Sequence, residues 1–188
     1  MKVIVLVDLQ NDFIDGALGS PEAQAIVQKV VEKLKNIEDK SNTLLLLTKD
    51  THCESYLDTL EGKYLPVPHC IENTPGWSIN KDIASAASDP DFLGYSSKKI
   101  INSRVYKNTF GSDDLRELLV REKDNIEEVE LFGLCTDICV ISNALMARQT
   151  LPDVKITVDA SCCAGVTPEK HNAALEVMKS CQIEVINE

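Results

Sequence analysis

Two patterns of apolar residues alternate along the chain, one typical of strands and the other typical of helices. Apolar runs at residues 1–7 and 43–48 predict buried strands; further strands are predicted at 127–132, 154–159 and 182–186, with a weaker one at 98–105. Apolar residues spaced by three and four predict helices between them, at 21–39, 81–88, 112–123, 138–150 and 167–180. This alternation favours a mostly parallel sheet with helices on both faces. We therefore predict one domain over residues 1–188 with a three-layer, doubly wound α/β/α fold.

Polar side chains collect where the predicted strands end. Asp8 follows the first strand, Asp50 and His52 the second, Lys107 the third and Cys139 the fourth. Ligands of open parallel sheets bind outside the carboxyl ends of the strands. A thiol nucleophile needs a base that takes its proton and a cation that favours the thiolate, and Asp8 and Lys107 can supply both. Each residue alone could be an ordinary loop acid or surface lysine, but together they predict a catalytic site.

The segment 131–140 predicts a strand, a tight turn at Gly133 and a helix that begins near Thr136 or Asp137. Both residues are good helix caps, because their side-chain oxygens can accept free amide hydrogens of the first turn. A thiol at Cys139 in that turn would have its thiolate stabilised by the helix dipole. The segment alone is also compatible with a small, buried, unreactive cysteine.

Charge and cysteine content narrow the classes of function. The formal net charge of -11 argues against binding to nucleic acid or to an anionic membrane surface. The apolar start ends at Asp8, which makes it too short for a signal peptide or a membrane span, so we expect a cytoplasmic protein. The seven cysteines are odd in number and include no C-x-x-C pair, which argues against a disulfide framework.

A long polar stretch, residues 50–77, follows the second strand. Long loops in compact domains are often functional. Two of the three histidines of the chain lie here among carboxylates, and the candidate ligands are Asp50, His52, Glu54, Asp58, Glu61 and His69. Mixed histidine and carboxylate ligands suit zinc, iron or manganese. A solvated polar loop is the alternative interpretation of this stretch.

Five short segments together resemble the motifs of the isochorismatase-like cysteine hydrolases, a superfamily that includes the nicotinamidases. Val7-Asp8-Leu9-Gln10-Asn11-Asp12-Phe13 resembles the opening motif, and Gly133-Leu134-Cys135-Thr136-Asp137-Ile138-Cys139-Val140 resembles the nucleophile motif. Tyr106-Lys107-Asn108-Thr109-Phe110 is similar to the lysine segment. Asp50-Thr51-His52 and Pro68-His69-Cys70 resemble the metal-loop motifs. The segments occur in the family's order.

The resemblance implies a six-stranded parallel sheet between helices and a role for each motif residue. Asp8 would be the general base and proton shuttle, Cys139 the nucleophile, and Lys107 the cation that supports both. The backbone N–H groups of Cys135 and Cys139 would form the oxyanion hole, and the peptide bond before Cys135 would be cis.

For the metal loop, the resemblance implies that Asp50, His52 and His69 are ligands of a divalent ion that grips the substrate's pyridine nitrogen. The family's usual further histidine is absent, and Glu61 is the first choice for the fourth ligand, with Asp58 second. The tryptophan that many nicotinamidases place before the P-x-H-C segment is also absent. The residues expected to replace it as the aromatic wall of the substrate site are Phe13, Tyr64 and Trp77.

The leading hypothesis is a cysteine-dependent amidohydrolase that converts a small carboxamide, most favourably nicotinamide, to the acid and ammonia through a thioester on Cys139. One alternative is a metal-independent amidase that acts on a carbamoyl or ureido compound. Another is vinyl-ether hydrolysis of the isochorismatase type, which Cys139 disfavours. A non-catalytic binding module would not need Asp8, Lys107 and Cys139 together. The resemblance also makes a homo-oligomer plausible.

Overall fold

Six parallel strands form a single sheet in the order β3-β2-β1-β4-β5-β6. The computed structural model describes residues 1–92 and 104–188. The strand bounds are β1 Lys2–Val7, β2 Thr43–Asp50, β3 Arg104–Lys107, β4 Glu128–Gly133, β5 Lys155–Asp159 and β6 Glu184–Ile186. The predicted weaker strand at 98–105 is found as β3, and its residues 98–103 lie outside the described residues.

The three central strands are buried because helices cover both faces of the sheet. β1 pairs with β2 on one side and with β4 on the other, so that Leu6 lies between Leu47 and Phe132. Every residue of β2 is buried, as its continuous apolar sequence predicts for a parallel strand.

Two groups of helices form the outer layers. The helices are α1 Asn11–Ile14, α2 Pro21–Lys35, α3 Leu60–Tyr64, α4 Lys81–Ala87, α5 Asp113–Glu122, α6 Ile141–Thr150 and α7 Pro168–Ser180. α2 contacts α1 and α4, whereas α6 contacts α5 and α7. The predicted three-layer, doubly wound α/β/α fold is therefore confirmed. No helix among residues 1–92 and 104–188 is long and apolar enough to cross a membrane.

The turn that carries Cys139 differs from the sequence prediction. Residues Thr136–Val140 form a π-helical turn, which leads directly into α6. Neither predicted cap residue caps a helix. Thr136 Oγ1 lies 2.7 Å from Nδ1 of His171, and Asp137 Oδ1 accepts a hydrogen bond from the Val166 N–H. Both side chains instead hold the turn against the start of α7.

The carboxyl ends of β1 and β4 meet where the strand order reverses, which is the usual place for a ligand in such sheets. Gly133 pairs with Val7 there and has a positive φ of 137°. A Cβ atom at Gly133 would overlap the carbonyl oxygen of Val7, so only glycine permits this close approach. Asp8 also has a positive φ, 48°, which turns the chain sharply at the end of β1.

Candidate active site

Asp8, Lys107 and Cys139 converge at the carboxyl edge of the sheet and are all buried. Lys107 Nζ lies 2.6 Å from Oδ2 of Asp8 and 3.5 Å from Sγ of Cys139. Three separate elements supply these groups, since Asp8 follows β1, Lys107 ends β3 and Cys139 lies in the turn after β4. The structure therefore brings together the three residues that the strand-end argument selected.

Thr48 fixes the orientation of the Asp8 carboxylate. Its hydroxyl donates to Asp8 Oδ1 at 2.7 Å and accepts from the Asp8 N–H at 3.2 Å. Within the described part of the chain, Oδ2 of Asp8 accepts no hydrogen bond of standard geometry, and its short contact with Lys107 is ionic. This oxygen is thus available to receive a proton from the thiol.

Burial sets the protonation states in the site. It raises the pKa of the Cys139 thiol well above its ordinary value; the carboxylate of Asp8 adds to this, and Lys107 opposes it. Because burial opposes the thiolate, the resting residue is a thiol. Burial also raises the pKa of Asp8, which Lys107 partly offsets. Although burial alone would lower the pKa of Lys107, the negative charges of Asp8 and Asp50 raise it, so the ammonium is retained.

The turn that carries the nucleophile is held by hydrogen bonds from its neighbours. The Leu134–Cys135 peptide bond is cis, as the family resemblance implied. The buried Asn143 donates from Nδ2 to the carbonyl of Cys139 at 2.8 Å and accepts from the Ser112 N–H at 3.1 Å. Cys135 and Cys139 line the same cavity, and the oxyanion hole expected from their backbone N–H groups stays a prediction.

A second cluster lies beside the thiol and consists of Asp50, His52, Glu61 and His69. One candidate ligand atom from each residue lies within 4.8 Å of the others. Asp50 Oδ2 is 3.0 Å from His52 Nε2 and 3.4 Å from His69 Nε2, and Glu61 Oε1 lies 3.8 and 3.9 Å from the same two nitrogens. Two imidazoles and two carboxylates are a donor set that fits a divalent transition metal.

Contacts around the cluster orient its ligand atoms. The Nδ1 of His69 lies 2.8 Å from the carbonyl oxygen of Val67, so Nε2 is the ring nitrogen that faces the cluster. Although burial opposes it, hydrogen bonding to His52 and His69 and the charge of Lys107 lower the pKa of Asp50, so this carboxylate stays ionised. The cluster is therefore prepared to bind a cation.

Gln10, two residues after Asp8, binds the backbone of the metal-cluster residue Asp50 at the end of β2. Its side chain accepts from the Asp50 N–H at 2.7 Å and donates to the Asp50 carbonyl at 2.8 Å and to the Trp77 carbonyl at 3.0 Å. Asp12 acts similarly on the metal loop, because its Oδ2 accepts from the Cys70 N–H at 2.7 Å, next to His69. Sequence reasoning did not assign Gln10, Asp12, Thr48 or Asn143, although the first two lie within the opening motif.

A cavity of about 400 Å³ opens above Cys139. Phe13, one of the three predicted wall residues, lines it, and its ring centre lies 5.5 Å from that of His69. Leu65 and Phe110 form further apolar wall. Lys170, on the first turn of α7, is exposed at its rim.

The structure does not bring Tyr64 and Trp77, the other two predicted wall residues, to this cavity. Trp77 stacks on Tyr106 at 5.9 Å between ring centres, donates from Nε1 to Thr51 at 2.9 Å, and has the ammonium of Lys49 over its face. Tyr64 is 84% exposed at the end of α3. Asp58, the second choice for the fourth ligand, is not part of the cluster.

Comparisons with known proteins agree with this geometry. The isochorismatase domain model matches residues 2–188. The nicotinamidase of Schizosaccharomyces pombe is 29% identical over 209 residues, which cover 98% of this chain and 92% of the relative. The nicotinamidase/pyrazinamidase of Mycobacterium tuberculosis is 26% identical over 192 residues, covering 99% and 98%.

Among solved structures, the pyrazinamidase of Pyrococcus horikoshii in complex with zinc superposes with a TM-score of 0.77. It is 26% identical and the superposition covers 100% of this chain and 99% of that one. The family model matches nearly the whole length of the chain, and this chain therefore belongs to the isochorismatase family.

Proposed function

We propose that this protein is a cysteine-dependent amidohydrolase that converts nicotinamide to nicotinate and ammonia. The observation that carries the proposal is the contact of a buried carboxylate, ammonium and thiol beside a four-ligand cluster, with the thiol residue lining a small cavity. The names of the relatives support the choice of substrate.

Acylation begins when Asp8 Oδ2 takes the proton of the Cys139 thiol. The sulfur then attacks the amide carbon, and the backbone N–H groups of Cys135 and Cys139 stabilise the negative charge on the carbonyl oxygen. Asp8 returns the proton to the amide nitrogen, the C–N bond breaks and ammonia leaves. Lys107 keeps its charge throughout, which stabilises the anionic form of whichever partner has lost the proton.

Deacylation uses the same groups in reverse order. Asp8, again a carboxylate, takes a proton from a water molecule that attacks the thioester carbon. The C–S bond breaks, the acid product leaves, and the proton returns to the sulfur. In both acylation and deacylation, Asp8 therefore acts first as a base and then as an acid. Its raised pKa helps, because a carboxyl group whose pKa is closer to the working pH can both accept and donate a proton.

Asp50, His52, Glu61 and His69 would hold a divalent metal ion such as zinc, iron or manganese. Bound there, the ion would supply a Lewis acid beside the substrate ring. Phe13 would pack against the ring, because it lines the cavity next to His69.

Ammonia release from nicotinamide by the purified protein tests the proposal, with the metal content of the same sample measured in parallel. Cys139→Ala should abolish release, whereas Cys181→Ala, which removes an exposed cysteine, should leave it unchanged. Release that survives Cys139→Ala would overturn the mechanism. A protein that contains no metal and hydrolyses a ureido compound but not nicotinamide would favour the metal-independent alternative.

A further inference from the structure

A second, larger cleft of about 840 Å³ lies on the other side of the metal cluster. His52 and Glu61 form part of its inner wall, whereas the smaller cavity is lined by Asp50, Glu61 and His69. Glu61 and Phe110 line both spaces and therefore form the boundary between them. We name the larger space the outer cleft, and it is lined by residues 51–53, 56, 59–61, 64, 72 and 108–110.

The outer cleft is larger than the proposed reaction requires. Nicotinamide has nine heavy atoms, and a cavity of about 400 Å³ above the thiol already accommodates a ligand of that size. The outer cleft offers apolar surface that the described residues leave exposed to water. Leu60 is 70% exposed, Tyr64 84% and Phe110 50%. Burial of such side chains by an apolar group would be favourable.

The charges on its wall indicate the kind of group that fits. Among the described residues that line the outer cleft, Glu61 and Glu72 are the ionisable carboxylates, and no lysine or arginine is present. Lys170, by contrast, stands at the rim of the smaller cavity. Glu72 lies outside the metal cluster, so an anionic substituent beside it would meet like charge, whereas a neutral or cationic one would not.

We propose that the outer cleft is a subsite for an apolar, neutral or cationic substituent on the ring of an aromatic carboxamide, so that the enzyme hydrolyses ring-extended amides as well as the small parent. This inference rests on the proposed amidase function and extends its substrate class. The carboxamide stays at Cys139, and the substituent passes the boundary that Glu61 and Phe110 form.

A substrate series measured against two tryptophan variants tests the subsite. The series consists of nicotinamide and its derivatives with methyl, benzyl, aminomethylphenyl or carboxyphenyl at each free ring carbon. Leu60→Trp fills the outer cleft from an exposed position. Leu57→Trp is the matched control, because Leu57 lies three residues earlier, is 49% exposed and does not line the cleft.

For at least one ring position, the wild-type protein should hydrolyse the benzyl and aminomethylphenyl amides with a kcat/KM at least equal to that of the methyl compound, and the carboxyphenyl amide less well. Leu60→Trp should lower kcat/KM for the benzyl amide about tenfold and leave nicotinamide unchanged. Leu57→Trp should change neither.

Four outcomes would overturn the inference. Nicotinamide turnover without turnover of any extended amide would show that the outer cleft is closed to substrates. Equal loss for nicotinamide and the benzyl amide in Leu60→Trp would indicate general damage, and no loss for either would place the substituent elsewhere. If nicotinamide itself is not hydrolysed by the wild-type protein, the proposed function fails first and the inference fails with it.

Discussion

Lys107 Nζ lies 3.4 Å from Oδ1 of Asp50, while Oδ2 of the same carboxylate faces the two histidines of the metal cluster. Asp50 thus belongs to both halves of the site. Its charge contributes to the raised pKa of Lys107 and Asp8 and attracts a cation on the other side. The thiol chemistry and the metal cluster are therefore electrostatically linked through one side chain.

The first prediction concerns the proton shuttle. Asp8→Asn keeps the shape of the side chain but removes the base, so kcat/KM for nicotinamide should fall about a hundredfold to ten-thousandfold. The metal content should stay that of the wild-type protein, because Asp8 is outside the four-ligand cluster. Steady-state kinetics and elemental analysis of the same preparation check both statements. Full activity in Asp8→Asn would remove Asp8 from the mechanism.

The second prediction concerns Thr48, whose hydroxyl donates to Asp8 Oδ1 and lowers the pKa of that carboxyl. Thr48→Val removes the hydrogen bond at nearly constant volume. Because the bond stabilises the ionised form, its loss should raise the pKa of Asp8 further, and the acidic limb of the kcat/KM profile should move to higher pH. Thr150→Val is the matched control, because it removes a hydroxyl that donates to the Met146 carbonyl within α6, away from Asp8. An acidic limb that stays in place would show that Asp8 does not control it.

The third prediction separates the two candidates for the fourth metal ligand. Glu61→Gln should lower the affinity for zinc about tenfold or more, because a neutral amide replaces a carboxylate in the cluster. Asp58→Asn removes a charge three residues away and should leave the affinity unchanged. Competition with a chromogenic chelator measures both. The reverse order of effects would assign the ligand to Asp58.

The fourth prediction concerns stability at a site remote from the thiol. Asp159 contacts Lys33 Nζ at 2.6 Å and accepts hydrogen bonds from Ser161 and Asn187. Burial alone would raise the pKa of Asp159, but Lys33 and Ser161 lower it. Its contribution to stability is therefore fully present above the pKa of an unfolded aspartate, about 4, and is lost as the pH falls through the lower folded value.

Asp159→Asn should accordingly reduce the free energy of unfolding by about 1–3 kcal/mol at neutral pH. The difference from the wild-type protein should shrink as the pH falls below about 4. Urea denaturation at several pH values measures it, with Asp153→Asn, in an exposed turn before β5, as the control. A destabilisation that does not depend on pH would indicate lost packing instead of a lost ion pair.

The fold was predictable because its central strands β1 and β2 have continuous apolar sequences. A continuous apolar run such as 43–48 fits few structures other than a strand buried on both faces. The turn at Cys139 was not predictable in the same way. Its π-helical form depends on Thr136 and Asp137 bonding to the start of α7, which lies about thirty residues further along the chain.

The catalytic residues of the candidate site were likewise predictable from the sequence, whereas most of the residues on the substrate wall were not. Asp8, Lys107 and Cys139 lie at or just after the carboxyl ends of three strands, and parallel topology brings them to one edge. The substrate wall depends on how the loop 50–77 packs, which residue types do not reveal. Trp77 has a partner of its own in Tyr106, and Leu65 takes a place on the wall of the small cavity.

The central claim is that a thioester forms on Cys139, and the intact mass of the enzyme quenched with acid during turnover of nicotinamide tests it most directly. The account predicts a mass increase equal to a nicotinoyl group less one hydrogen, located on Cys139 by peptide mapping and absent from Cys139→Ala. A nicotinoyl group located on Cys135, which lines the same cavity, or active turnover by Cys139→Ala, would contradict it.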